Sequence, residues 1–140
     1  MDPRDHRPRR HGITASLTAL LLATPLLGQA AGVDDAVKEL QQGWEAIRYQ
    51  APANEREKRF EALAARARAL SQAHPGKAET LIWEGIIVSS LAGEKGGLGA
   101  LPLVKQAKGL YEQATQIDGK ALDGSAYNSL GVLYYKVPGW

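Results

Sequence analysis

Chemistry needs nucleophiles, bases or ligands brought within a few ångströms of one another, and this chain offers few of them. Cysteine is absent, which removes thiolate nucleophiles, thiolate metal sites and disulfides together. Of the three histidines, His6 and His11 lie in the first twelve residues, and His74 stands beside Pro75 at the end of an amphipathic stretch. There it reads as a polar cap near the last helical carbonyls, since a catalytic base or metal ligand needs partners that the pattern does not supply. Glu55, Glu57 and Glu61 cluster, but Arg56, Lys58 and Arg59 interleave with them, which is the composition of a solvated helix face. Gly93–Gly99 has four glycines in seven positions and raises a phosphate-loop reading. It lacks the Gly-Lys-Ser/Thr ending and comes after a helical pattern instead of a strand, so it reads as a connector. Neither Asn54 nor Asn128 is followed two positions on by Ser or Thr, so there is no N-glycosylation acceptor. No active site assembles from these residues. The expectation is a protein that is not an enzyme and uses no metal or cofactor.

The N-terminus has a different logic. Residues 1–12 carry Arg4, Arg7, Arg9 and Arg10, and Ile13 to Leu27 is an uncharged, mostly apolar run. Small residues come next, with Gly28 and Ala30 placed where a signal peptidase takes small side chains. This is the layout of a secretory signal peptide over residues 1–30, with cleavage after Ala30. A membrane anchor needs about 20 continuous apolar residues, and Pro25 interrupts a shorter run. A lipoprotein needs a cysteine at the cleavage site, and the residues after Arg9-Arg10 do not form the twin-arginine pattern. The expected location is the periplasm or the exterior, with no stable membrane insertion once the signal is removed. The leader holds four of the 17 basic and two of the 15 acidic residues, so the mature chain keeps 13 of each. A neutral chain has no basic field to attract nucleic acid or anionic lipid.

The remaining residues, 31–140, make one domain whose apolar spacing is helical throughout. Val33, Val37, Leu40, Trp44 and Ile47 form one stripe over 33–50, which Pro52 ends. Asn54 and Glu57 read as a capping box opening a helix over about 55–73, with Phe60, Leu63, Ala67 and Leu70 on one face. Residues 77–92 are apolar nearly all round, which predicts a helix buried between neighbours, with Trp83, like Trp44, in the core. A fourth helix over 101–118 carries Val104, Ala107, Leu110, Tyr111, Ala114 and Ile117, with Gly119 as a left-handed cap. Asp123 or Ser125 caps a fifth over 124–136.

Helices of this length joined by short turns point to an internal repeat. Tyr127, Leu130, Gly131 and Tyr134 match, in order and spacing, the first helix of a tetratricopeptide repeat, and Ala107, Tyr111 and Ala114 resemble the second helix of the repeat before it. Leu81 and Gly85 outline another first helix, separated from its partner by about ten extra residues, Glu94 to Leu103. In this pattern Gly131 and Ala107 are the notches where helix backbones approach. The specific resemblance covers roughly a third of the mature chain. Trp140 falls where the partner of the fifth helix should begin, so Tyr127, Leu130 and Tyr134 lack half of their packing. Truncation of the domain is the favoured reading, ahead of completion by another chain.

The resemblance implies an all-α fold of stacked helical hairpins in a short right-handed solenoid of two to three repeat units. It also implies a groove lined by the first helices, with Ile82, Ile86 and Ser89 from the third helix and Asn128, Val132, Tyr135 and Lys136 from the fifth. A protein or peptide partner, held as a segment or a helix, is the expected occupant of this scaffold. The glycine loop and the Val-Pro-Gly-Trp exit also resemble exported bacterial repeat proteins, some associated with periplasmic solute transporters. The alternative is therefore an accessory subunit holding a small ligand in a pocket framed by the third helix and its glycine loop.

Overall fold

The apolar surfaces of five helices can be buried only against one another, and the chain does this by folding each helix back on the last. The computed structural model describes residues 27–137, all-helical, with no β-strand among the described residues. The helices are α1 (Leu27–Gln50), α2 (Ala53–Ala73), α3 (Ala78–Lys95), α4 (Ala100–Asp118) and α5 (Ala121–Lys136), with one 3-10 turn at Gly97–Gly99. The basic segment and apolar run of the expected leader lie almost wholly outside the described residues. α1 begins at Leu27, six residues before the expected start of its stripe. Among the described residues no helix is long and apolar enough to cross a membrane.

Two-residue and four-residue connections force neighbours to run antiparallel. Ser71 near the end of α2 meets Glu84 near the start of α3, and Glu57 near the start of α2 meets Lys95 at the end of α3. Alternate helices also touch, α1 with α3 and α3 with α5. α3 is the shared element. Its Ile87 and Leu91 join Leu40, Ile47, Phe60 and Leu63 of α1 and α2 in one apolar cluster. Its Leu81, Ile82 and Val88 join Val104, Ala107, Tyr111 and Ala126 of α4 and α5 in the other. This is the arrangement that an all-round apolar helix requires.

Local signals at the helix ends resolve differently from their sequence reading. α2 starts at Ala53 behind Pro52, whose φ of −56° suits a helix entry, so Asn54 lies inside the first turn and makes no capping bond. Arg56 instead closes this corner by donating from Nε to the Ala51 carbonyl at 3.1 Å. Gly119 has right-handed angles, φ −68° and ψ −12°, and is no left-handed cap. Its missing side chain leaves room instead, since a Cβ there would lie 2.9 Å from the Tyr127 hydroxyl. The left-handed backbone falls just after, at Leu122, Asp123 and Gly124, with φ from 49° to 75°. Asp123 is therefore part of the turn and not a cap.

The α3–α4 contact is the most extensive, and Tyr111 is its centre. Its ring is buried, its hydroxyl hydrogen bonds with Ser89 of α3 at 3.2 Å, and Ser129 of α5 stands beside it. Burial pushes the Tyr111 phenol above its ordinary value, because a phenolate loses its hydration there, while the two serine contacts pull the other way. The unfolded phenol titrates near 10, and the folded one above it. Between those values the unfolded chain has lost a proton that the folded chain keeps, so stability is fully present below pH 10 and falls as pH rises through the window. Urea midpoints measured from about pH 9 to about pH 11 should fall more steeply for the wild type than for Tyr111→Phe. Equal slopes would remove the burial argument.

Candidate functional site

α5 turns Ala126 and Leu133 into the core and half-buries Ser129 and Leu130. The opposite face is consequently open. Asn128, Val132, Tyr135 and Lys136 succeed one another at steps of four, three and one, so they share a face, and all four are exposed. Tyr135 is 85% exposed. A neighbouring stripe is partly open as well: Tyr127 is 60% exposed, and the Tyr134 ring lies 5.8 Å beneath the Lys108 ammonium, itself hydrogen-bonded to Glu112.

On α3 the expected groove residues separate. Ile82 is 0% exposed and belongs to the core, so it cannot meet a partner. Ser89 is half-buried with its hydroxyl engaged by Tyr111, which makes it a tie between helices more than a groove contact. Ile86 is half-buried and packs against the α3–α5 cluster. Trp83 and Ser90 of α3 are half-buried as well. Trp44 of α1 joins them, donating from Nε1 to Ser90 Oγ at 2.7 Å, with its ring edge-on to Trp83 at 6.3 Å and to Tyr49 at 5.9 Å. Trp44 and Trp83, expected in the core, are half-exposed. α3 and α5 touch, with the Tyr111 hydroxyl bonded to Ser89 of α3 and beside Ser129 of α5.

A second concavity, of about 570 Å³, lies between the end of α2 (Arg68, Ser71), the first half of α3 (Leu81, Glu84) and the middle of α4 (Lys105, Gln106). Glu84 is 3% exposed and lines it. Ser71 donates its hydroxyl to Glu84 Oε2 at 2.5 Å, and the Gln106 amide approaches Oε1 at 3.5 Å. No residue of Gly93–Gly99 lines this cleft. Glu84 did carry a signal in the sequence. It is the one charged residue between Leu81 and Leu91, and a carboxylate inside such a run must be buried against donors.

The other candidates take modest places. His74 is the C-cap of α2, its backbone N–H donating to the Leu70 and Ser71 carbonyls. Glu55 pairs with Arg59, and Glu57 and Glu61 with Lys95, all on exposed surface. No three of His, Cys, Asp and Glu gather as a metal-binding group among the described residues. No protein-family model, curated protein or solved structure matches the chain.

Proposed function

We propose that the protein is a non-catalytic protein-interaction scaffold, exported and working outside the cytoplasm, built on stacked hairpins of the tetratricopeptide-repeat kind. It holds a peptide segment or helix of a protein partner against α5. The observation that carries this is the open Asn128–Val132–Tyr135–Lys136 face, with a ring and an ammonium at its tip. A rigid aromatic anchor beside a flexible cation is the composition by which helical grooves grip amphipathic segments. The repeat reading is supported by Ala107, Tyr111 and Ala114 packing as one buried row, by Tyr111 seated on Gly85, and by the run of contacts α1–α3–α5.

A photo-reactive residue placed at position 135, in the native host, tests it against the same residue at position 66, where the Arg66 side chain is exposed on α2. The expected result is a discrete protein adduct from position 135 and none from 66. No adduct from 135, or the same adducts from both positions, would remove this reading. Tyr135→Ala should leave urea stability within about 0.5 kcal/mol of wild type, since the ring supports no core contact.

A further inference from the structure

The Glu84 cleft has a charge arrangement that the scaffold reading does not use. Glu84 Oε2 is satisfied by Ser71, but Oε1 has only the Gln106 amide at 3.5 Å, beyond the usual range of an N–H···O bond. A carboxylate this deeply buried calls for a stronger donor. Arg68 and Lys105 stand exposed on the same cleft, and neither forms an ion pair with Glu84 or with any other described residue. Leu81 and Leu110 line the space as well.

We propose that this cleft binds a small zwitterion, an amino acid or a dipeptide. Its ammonium donates to Glu84 Oε1 on the cleft floor, and its carboxylate is held by Arg68 and Lys105. One anion below and two cations at the rim match a ligand carrying both signs, and a singly charged molecule satisfies only one end. A volume of about 570 Å³ lies within the usual range for small-ligand sites. The site stands apart from the exposed face of α5, and its test is independent of partner capture.

The ¹⁵N-labelled full chain is titrated with L-leucine, L-glutamine and alanyl-alanine, and with propionate and ethylammonium as singly charged controls. At least one zwitterion is expected to give saturable shifts in the amides of Ser71, Glu84 and Gln106, with both controls weaker by about tenfold or more. Glu84→Gln keeps the shape of the floor and removes its charge. Arg68→Ala combined with Lys105→Ala alters only exposed side chains. Each is expected to weaken the zwitterion by about tenfold or more. If Glu84→Gln does not fold, the rim double variant decides. No saturable shift from any of the three zwitterions, undiminished binding in the rim variant, or a control that binds as tightly would overturn the proposal.

Discussion

Phe60→Ala is expected to cost about 3–5 kcal/mol, a large part of the roughly 5–15 kcal/mol that holds a domain of this size folded. Phe60 is 0% exposed and packs among Leu40, Ile47, Leu63, Ile87 and Leu91, so truncation empties a space bounded by three helices. Those walls belong to α1, α2 and α3, each fixed by other contacts, and they cannot all move inward together. The cavity penalty therefore adds to the lost transfer energy. A urea midpoint shift equivalent to less than about 1 kcal/mol would mean that the α1–α2 hairpin does not close over Phe60 in solution. The exposed Tyr135 is the internal comparison, an aromatic ring whose removal leaves stability nearly untouched.

Much of this architecture was legible in apolar spacing. The stripe through Phe60, Leu63 and Ala67 is buried as its period demands, and the ends of α1, α2 and α4 at Gln50, Ala73 and Asp118 lie where Pro52, Pro75-Gly76 and Gly119 place them. Periodicity works there for most positions, because each of those helices has one buried side, although Trp44 of the α1 stripe is half-exposed and Ile117 of the α4 stripe is exposed. It fails on α3. A helix that is apolar all round has no dominant stripe, so spacing alone cannot say that Trp83 stays half-exposed while Ile82 is fully buried. That choice is made by α1, α2, α4 and α5 together, and it became visible only with the neighbours in place.

Glu84 was less legible for a related reason. Its isolation in an apolar run marks it as unusual, but its donors come from Ser71, thirteen residues before, and Gln106, twenty-two after. Neither spacing resembles a motif, because an interhelical cleft is assembled from residues that share no periodicity. The α5 face is the opposite case. Asn128, Val132, Tyr135 and Lys136 lie on one helix, and helical geometry alone places them together.

Two glycines make the difference between pattern and packing measurable. Gly85→Ala is expected to destabilise the protein by about 2 kcal/mol, and Gly131→Ala to stabilise it by up to about 1 kcal/mol. Alanine is the better helix former at both positions, so the opposite signs must come from the space around each Cβ. At Gly85 a Cβ would lie 2.5 Å from Cε1 and 2.9 Å from Cζ of Tyr111. The ring cannot retreat easily, being buried and tied at its hydroxyl to Ser89, so the overlap must move α4 away from α3. At Gly131, the position that the repeat resemblance marks as a notch, a Cβ would meet nothing within 4 Å. Thermal or urea unfolding of the two variants tests the signs directly. Combining Gly85→Ala with Tyr111→Leu should recover part of the loss relative to Tyr111→Leu alone, because the smaller side chain clears the methyl group. A Gly85→Ala variant as stable as the wild type would show that α3 and α4 sit further apart than the Tyr111 contact requires, and the row of Ala107, Tyr111 and Ala114 would lose its seat.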